Sequence, residues 1–547
     1  MKEGIWGLLS VFLLFQATCV LGASPANRNL LQAVSEGNVE GVSKAIQEGA
    51  DVNATNKYGV TSLMSASLKG NSDLVRELLN AKAKVNLTTH DGVTALILAS
   101  QEGYGGIVKM LLNAGADVNA ANEEGTTALM AASEGGYLGI VKMLLAAKAH
   151  VNASHTDGST ALMDACYYGH TAIVRELLKA GADPNLADNE RVTPLMFASA
   201  KGYENIVTML LHAHADVNKV DIRKKTALMS AISGGYESLV QLLLNAGANV
   251  DLASVDGYTA LMFACQKGYE NIIRMLLNAK ADVNAATKVG GTALMYACLS
   301  GRTYIVNTLI SAGANVNAKD ETGVTALMYA SKEGYGSIVD ALLNARADVN
   351  AADKNGTSVL MYASYQGYAA IVRMLLRMGA NCNAANKIGT TALMDASSHG
   401  YLVIVKDLLR AGAYVDETNN SGDTALMAAS VKGNETIVNA LIAAQADVNA
   451  VNDDTSTALT VAIEKGHLGV VNALIRAGAD VNTSHKLGMT PLMIAVKEGN
   501  LEIVRTLLDA KADVNVVGEE GQTALKIARQ KKSTALVRIL QQAGAKK

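Results

Sequence analysis

A repeat of fixed length runs through almost the whole chain and constrains its fold more than any other feature. The segment TALMYASKEGYGSIVDALLNARADVNAADKNGT begins at Thr325, and SVLMYASYQGYAAIVRMLLRMGANCNAANKIGT follows it directly from Ser358. The same frame can be laid from Thr61 to Thr523 without an insertion or a deletion, and a degenerate first copy begins at about Arg28. Sixteen copies at a fixed period predict a stack of small units, because a regular repeat is the signature of such arrays.

Each copy predicts two short helices and a loop. In the copy that begins at Thr325, the threonine hydroxyl suits a helix N-cap and Gly334 ends the first helix. Ile338 and Leu342 lie on one apolar face of a second helix, and Gly356 marks a turn in which a positive φ is expected. Helices this short are unstable alone in water, so neighbouring repeats must stack to bury their apolar sides.

The motifs within one copy identify a family resemblance. The pattern T-x-L-x-x-A, then G-Y-x-x-I-V-x-x-L-L, then A-D-V-N-A resembles the ankyrin repeat over residues 28–547. The resemblance implies an all-α solenoid of helix-turn-helix-loop units in a curved array, and a non-catalytic function in protein binding. The sequence departs from the family's T-P-L-H motif, since proline is kept only at Pro194 and Pro491 and methionine mostly replaces the histidine. Methionine cannot supply the hydrogen bond of that histidine, so we expect a more apolar link between repeats.

Residues 23–547 are predicted to form one continuous array whose ends act as caps. In the first repeat (28–60) Arg28-Asn29-Leu30-Leu31 replaces T-A-L-M, so that Asn29 takes an alanine place, and in the last repeat (523–547) Lys526 takes the methionine place. A terminal repeat needs such residues because one of its faces meets water.

Residues 1–22 do not fit the repeat and resemble a secretory signal peptide. An apolar run, Ile5 to Phe15, precedes small residues, and cleavage is expected after Gly22 or Ala23. The run is too short for a membrane span, and an N-terminal helix that caps the stack is the alternative. We therefore predict a secreted or periplasmic protein without a stable membrane span after signal removal; lipid attachment at Cys19 is the less favoured possibility.

Charge and cysteine content restrict the function further. The chain has 47 Lys and Arg against 50 Asp and Glu, a net charge of −3 with both signs interspersed, which argues against nucleic acid as a partner. Cys166, Cys265 and Cys298 share one repeat position and are interpreted as buried filler, so no disulfide framework is predicted. His212 and His214 form an H-x-H pair without further ligands. We expect no catalytic residue, cofactor or metal site, and hence no enzyme.

The residue just after each second helix follows an alternating pattern. Glycine alternates there with a long, mostly basic side chain, as in Gly313, Arg346 and Gly379. Glycine suits a helix C-cap, and a cation favours the negative end of a helix.

Aromatic residues of the first helix mark the candidate binding surface. The fifth, eighth and ninth places of a repeat share one helical face, which in ankyrin folds lines a concave groove. The aromatic residues at these places cluster in repeats 5 to 11 and are Tyr167, Tyr168, Phe197, Phe263, Tyr296, Tyr329, Tyr362 and Tyr365. Aromatics are favoured anchors at interfaces, so we predict a recognition stripe; the alternative is that large side chains merely fill a half-buried place. Tyrosines of the inter-helix turn, such as Tyr335, are interpreted as structural.

Loop tips near this stripe are basic. Arg191 replaces the usual turn glycine in one loop, and Arg223, Lys224 and Lys225 occupy the next, which is followed by Tyr258. A basic rim beside aromatic residues suggests a protein partner with an acidic, partly apolar segment. The predicted function is that of an exported, monomeric, non-catalytic scaffold. The alternative is an envelope or periplasmic protein that protects a secreted enzyme or toxin or gives immunity to it.

Overall fold

A computed structural model describes residues 24–485 and 488–546, and within them it confirms the predicted all-α fold of helix pairs. The predicted signal peptide, residues 1–22, lies outside this range. The described part of the chain contains 32 α-helices, one 3₁₀ turn (Glu519–Gly521) and isolated bridges in place of strands. None of the described helices combines the length and the apolar character that a membrane crossing requires.

Odd-numbered helices are the first helices of their repeats, and even-numbered helices are the second. In chain order they are α1 Pro25–Glu36, α2 Val39–Gln47, α3 Ser62–Leu68, α4 Ser72–Asn80, α5 Ala95–Gln101, α6 Gly105–Asn113, α7 Ala128–Glu134, α8 Leu138–Ala146, α9 Ala161–Tyr168, α10 Thr171–Lys179, α11 Pro194–Lys201, α12 Glu204–His212, α13 Ala227–Gly234, α14 Glu237–Asn245, α15 Ala260–Lys267, α16 Glu270–Asn278, α17 Ala293–Leu299, α18 Thr303–Ser311, α19 Ala326–Glu333, α20 Gly336–Asn344, α21 Val359–Gln366, α22 Ala369–Arg377, α23 Ala392–His399, α24 Leu402–Arg410, α25 Ala425–Lys432, α26 Glu435–Ala443, α27 Ala458–Glu464, α28 Leu468–Arg476, α29 Pro491–Glu498, α30 Leu501–Asp509, α31 Ala524–Gln530 and α32 Thr534–Gln542.

The helices fall into two compact units. The N-terminal unit comprises the described residues up to Ala264 together with Arg274–Ala281. The C-terminal unit comprises Cys265–Ile273 and the described residues from Asp282 onward. Repeats 1 to 7 therefore belong to the first unit and repeats 9 to 16 to the second, and both are built on the same plan.

Side-chain caps and glycines set the ends of the first helices. Thr325 Oγ1 accepts a hydrogen bond from the backbone N–H of Met328 at 3.3 Å, and Gly334 ends α19 with a left-handed φ of 82°. Both features are as predicted. Leu327 on α19 and Leu342 on α20 are fully buried, which confirms that the apolar sides of the two helices form the core of each repeat.

The two ends of the chain depart from the interior pattern. Ser24 caps α1, which begins at Pro25 and so precedes the expected start of the first repeat at Arg28. Proline is well suited to the first turn of a helix, because its missing N–H would have no partner there. In the last repeat Lys526 and Lys532 are exposed, as expected of a capping repeat.

Tyrosines of the inter-helix turn pack over the glycine that ends the preceding first helix. A Cβ built on Gly334 would lie 2.6 Å from Cζ of Tyr368, and one built on Gly301 would lie 2.7 Å from Cζ of Tyr335. The close contact supports the structural interpretation of these tyrosines and explains why glycine ends these helices.

Asparagine side chains link each repeat to the next. Oδ1 of Asn86 accepts from the N–H of Asp117 at 2.8 Å, and Nδ2 of Asn86 donates to the carbonyl of Gly115 at 3.1 Å. Asn350 makes the same link in the C-terminal unit, where its Oδ1 accepts from the N–H of Asn381 at 2.7 Å. These bonds form an asparagine ladder that satisfies backbone groups just after each second helix, where helix geometry leaves them without partners.

Methionine at the family's histidine place belongs to the core. Met64, Met130 and Met361 are buried, in agreement with the expected apolar link. Each sulfur also accepts from the N–H of its own N-cap residue at 3.4 to 3.5 Å. In repeat 14 Thr460 occupies this place, and its hydroxyl accepts from the N–H of Thr457 at 2.8 Å. The methionine therefore acts as a weak substitute for the polar residue of a capping box, which the sequence analysis missed.

The alternating position after each second helix is left-handed in every repeat. At all sixteen of these positions φ lies between 62° and 91°, whether the residue is glycine or not. Lys148 has a φ of 70° and Arg346 a φ of 65°. An L side chain is disfavoured in this region, so the basic residues carry a backbone strain that their charge alone does not reveal.

Candidate functional site

The fifth place of the first helix is half-buried, so the predicted stripe is neither turned into the core nor fully exposed. This holds at Phe197, Phe263, Tyr296, Tyr329 and Tyr362. The eighth and ninth places differ, because Tyr168 is 41% exposed and Tyr365 is 51% exposed, whereas Tyr167 is half-buried.

In the N-terminal unit, three predicted aromatics form one cluster. The ring of Tyr167 lies edge-to-face with Tyr168, at 5.0 Å between centroids, and with Phe197, at 5.7 Å. Lys201 Nζ lies 4.3 Å from the centroid of the Tyr167 ring, within the range of a cation–π interaction. The structure therefore brings together side chains that α9 and α11 supply separately.

Acidic side chains border this cluster, and the sequence analysis did not identify them. The Tyr168 hydroxyl donates to Oε1 of Glu134 at 3.1 Å, and partial burial together with this carboxylate raises the pKa of Tyr168 to about 12. Asp164 Oδ2 lies 3.8 Å from Nε2 of His155, and burial raises the pKa of Asp164. Burial alone would lower the pKa of His155, but the nearby Asp164 carboxylate raises it overall.

A second aromatic pair in the same unit joins three more of the predicted residues. The rings of Tyr258 and Phe263 lie 5.5 Å apart, and Lys225 Nζ lies 5.7 Å from the centroid of the Phe263 ring. Lys225, one of the basic loop residues, therefore lies beside an aromatic residue of the stripe.

The basic loop tips of repeats 5 and 6 adopt the conformation of the glycine that they replace. Arg191 has a φ of 61° and Lys224 a φ of 56°, and the side chains of both, like that of Arg223, are exposed. The N–H of Val255 donates to the carbonyl of Arg223 at 2.9 Å, which joins adjacent tips. Ile222 and Val255 are exposed beside them, so the tips are apolar as well as basic.

In the C-terminal unit, tyrosines of the stripe are tied to their own loops. The Tyr329 hydroxyl donates to Oδ2 of Asp320 at 2.8 Å, and the Tyr362 hydroxyl donates to Oδ2 of Asp353 at 3.0 Å. Burial and the Asp353 carboxylate raise the pKa of Tyr362 to about 12. Burial opposes ionisation of Asp320, but hydrogen bonds from Thr322 and Tyr329 outweigh it and lower the pKa of Asp320. The sequence signal for both pairs is an aspartate nine residues before a tyrosine.

A depression of about 230 Å³ lies between repeats 9 and 10 in this unit. Six of its lining residues bear on its chemistry, and they are Val289, Tyr296, Leu299, Asp320, Glu321 and Tyr329. Val289 and Leu299 are exposed apolar side chains. The depression combines aromatic, apolar and acidic surface, although only its two tyrosines were predicted as site residues.

The exposed Tyr365 packs against a histidine of the next repeat. The ring centroids of Tyr365 and His399 are 4.4 Å apart, and His399 in turn stacks with Tyr401 at 6.0 Å. At the fifth place of that repeat, burial raises the pKa of Asp395 to about 6, with His399 opposing the shift. His399 and Asp395 extend the surface beyond the residues that were predicted.

Other residues with reactive side chains are dispersed. Cys166, Cys265 and Cys298 are fully buried, as expected of filler, and burial raises their pKa values. His212 and His214 are exposed at the end of α12. In the residues that the structure describes, no group of three or more His, Cys, Asp or Glu side chains is placed to hold a metal ion.

Comparison with known families agrees with the repeat pattern. A family model described as ankyrin repeats (3 copies) matches residues 30–122, 88–155, 129–221, 195–287, 279–353, 327–419 and 393–485. A second model, described as ankyrin repeats (many copies), matches residues 474–528. The matches overlap along most of the chain. No curated protein matches it.

Proposed function

The chain belongs to the ankyrin-repeat family. From this premise we propose that it is a non-catalytic scaffold that binds a protein partner through aromatic residues of its first helices. Ankyrin repeats are general protein–protein interaction modules, but the fold alone does not specify a partner. One observation carries the proposal: Tyr168 in the N-terminal unit and Tyr365 in the C-terminal unit are left 41% and 51% exposed, each on the first helix of a repeat that also holds half-buried aromatics of its own unit.

Exposed tyrosines of this kind are suited to binding. A tyrosine ring offers a large contact area at a small cost in side-chain entropy, and tyrosine is enriched among the residues that dominate interface energies. A neighbouring side chain restrains each ring, since Tyr168 donates to Glu134 and Tyr365 packs on His399. A surface that is ordered before binding loses little entropy when a partner arrives.

At the fifth position of the repeat, the alternative to a role in binding is that a large side chain merely fills a half-buried place. The hydroxyls of Tyr329 and Tyr362 hold their own loops through Asp320 and Asp353, so these two tyrosines have a role in folding whatever they bind. A loss of binding after their replacement would therefore be ambiguous. Tyr168 and Tyr365, at the eighth and ninth places, give the sharper test.

The basic loop tips of the N-terminal unit favour a partner segment that is acidic and partly apolar. Arg191, Arg223 and Lys224 are exposed next to the apolar Ile222 and Val255. Complementary charge speeds encounter and selects among partners, while the apolar side chains supply contact area. We further propose that the protein is exported, on the basis of the signal-like residues 1–22.

The test compares exposed tyrosines of the first helices with a similarly exposed tyrosine of a second helix. Tyr168→Ser combined with Tyr365→Ser removes both exposed rings of the stripe, and Tyr304→Ser removes a ring that is 49% exposed on the second helix α18. Each full-length variant is crosslinked in its native compartment, and captured proteins are quantified by mass spectrometry. We expect the double variant to lose its specific partners while amide protection of its repeats is unchanged, and Tyr304→Ser to keep them. Undiminished capture by the double variant would overturn the proposal.

A further inference from the structure

We propose that the depression between repeats 9 and 10 receives an arginine side chain of the protein partner, an inference that rests on the proposed function. The depression lies within the C-terminal unit, and it is lined by the end of the repeat 8 loop (Val289 and Gly291), the first helix and loop of repeat 9, and Tyr329 of repeat 10. Its volume, about 230 Å³, is smaller than that of typical small-molecule pockets, which run from about 300 to 1,000 Å³. Its size suits one long side chain.

Two tyrosines are among the residues that line the depression. Tyr296 and Tyr329 both line it, and the hydrogen bond of 2.8 Å from the Tyr329 hydroxyl to Asp320 fixes the orientation of one ring. The face of a tyrosine ring attracts a cation, and the planar guanidinium of arginine also stacks on it. A neutral or anionic side chain would gain neither interaction.

Carboxylates supply the charge that an arginine needs. Asp320 and Glu321 are the charged residues among those that line the depression, and Glu321 is exposed. The N–H of Glu321 donates to the carbonyl of Val289 at 2.8 Å, which anchors the loop that carries the glutamate. Lys288 and Lys319 belong to neighbouring positions of the loops but do not line the depression. A guanidinium can form two parallel hydrogen bonds with one carboxylate, which favours arginine over lysine.

Apolar walls suit the methylene chain of the same residue. Val289 and Leu299 are exposed on the rim of the depression. An arginine side chain can lay its three methylene groups on such surface while its charged end reaches a carboxylate. The lining of the depression therefore combines the apolar, aromatic and acidic groups that suit the methylene chain and the guanidinium of an arginine.

The neighbouring step of the array contains a natural control. Between repeats 10 and 11 the tyrosine–aspartate pair is kept, as Tyr362 with Asp353. However, the positions equivalent to Leu299 and Glu321 in the next repeat hold lysines, Lys332 and Lys354. Two lysines repel a guanidinium, so the proposal assigns the arginine site to one step and excludes it from the next.

The experiment uses n-butylguanidinium as a probe of the arginine side chain and n-butylurea as its neutral counterpart. The full chain is labelled with ¹³C in its methionine methyl groups, and Met295, which lines the depression, reports binding by NMR. Met328, one repeat later, reports on the control step. We expect n-butylguanidinium to shift the Met295 signal in a saturable manner and n-butylurea to bind roughly tenfold more weakly, a difference of about 1.4 kcal/mol, because a charge-assisted hydrogen bond is stronger than a neutral one.

Two variants complete the design. Glu321→Lys should abolish the shift of Met295, and Lys332→Leu combined with Lys354→Glu should make Met328 respond as Met295 does. These residues are exposed, so the fold should tolerate the changes, and unchanged methionine signals elsewhere would verify this. A Met295 response that n-butylurea reproduces, that survives Glu321→Lys, or that is absent altogether would overturn the assignment. Partner capture that depends on Tyr168 and Tyr365 would then still support the proposed function, so the two failures can be told apart.

Discussion

Gly313 and Gly334 allow backbone strain to be separated from crowding in two neighbouring repeats. Both are left-handed, with φ values of 89° and 82°. A Cβ added to Gly313 meets nothing within 4 Å, whereas one added to Gly334 lies 2.6 Å from Cζ of Tyr368. Gly313→Ala should therefore cost strain alone: about 1–2 kcal/mol for a left-handed alanine, less about 0.4–1 kcal/mol gained by restricting the unfolded chain. The net loss should be about 0–1.6 kcal/mol.

Gly334→Ala should cost more, because the ring of Tyr368 must also move. Crowding of a packed site adds about 1–3 kcal/mol, so the total loss should be about 1–4.6 kcal/mol. The reverse change, Arg346→Gly, removes strain at a position equivalent to Gly313 and should stabilise its repeat by up to about 1 kcal/mol.

Native-state hydrogen exchange is the suitable assay for this series. A long repeat array need not unfold in one step, so a global free energy of unfolding is ill defined, whereas amide protection reports the opening free energy of each repeat. Equal losses for Gly313→Ala and Gly334→Ala would refute the reasoning, because crowding by Tyr368 would then contribute nothing. A destabilising Arg346→Gly would refute the assignment of strain to the long side chains.

Three further predictions concern single residues. Burial raises the pKa of Asp395 to about 6, so the folded chain should lose stability as the pH rises from about 4 to 6. Asp395→Asn should therefore raise the free energy of local opening, measured by amide protection, by up to about 3 kcal/mol at pH 7.5. The same substitution should have little effect at pH 3.5, where the carboxyl group is protonated in both the folded and the unfolded chain. Asn86→Ala removes two hydrogen bonds to the next repeat and should lower amide protection there by about 1 kcal/mol, whereas Asn86→Asp, which keeps the acceptor, should lower it less. If the chain is directed through a eukaryotic secretory pathway, mass spectrometry should find a glycan on the exposed Asn355, an N-x-T site, and none on Asn86, whose side chain is occupied by the ladder.

The helices were predictable because every repeat carries the same local signals for capping, helix termination and core packing. Thr325 offers an N-cap, Gly334 ends the helix, and Leu327 has an equivalent core leucine in almost every repeat, so sixteen copies of the pattern reinforce one another. The start of α1 at Pro25 was not anticipated, because Ser24 and Pro25 precede the first copy and follow capping rules of their own. The membership in the ankyrin family follows from the same motifs.

Interactions between different places of a repeat were harder to predict. The link from Tyr329 to Asp320 joins a helix to a loop nine residues earlier, and the link from Asn86 to Asp117 joins two repeats. Neither follows from helical or extended periodicity, since each depends on how the loop folds against the helix. The backbone strain at Arg346 was not predicted, because its charge at the negative end of a helix already explained why a basic residue stands there.

The predicted recognition stripe remains a prediction. The sequence placed its residues on one helical face, and the structure groups Tyr167 with Tyr168 and Phe197. The sequence could not separate packing from recognition, because both select large side chains at a half-buried place. Exposure separates them only partly, and it singles out Tyr168 and Tyr365 as the positions where packing is the weaker explanation.

The asparagine ladder also determines which deletions and insertions the fold can accommodate. The partners of Asn86 are main-chain groups, and residues 148 and 150 offer the same groups one repeat further on. Excision of residues 94–126 would therefore let Asn86 engage a new neighbour without any compensating substitution. A deletion that is one residue longer or shorter would leave the amide out of register. Gene rearrangements that add or drop whole copies should thus yield soluble descendants, and natural variation in copy number is the outcome that this chemistry permits.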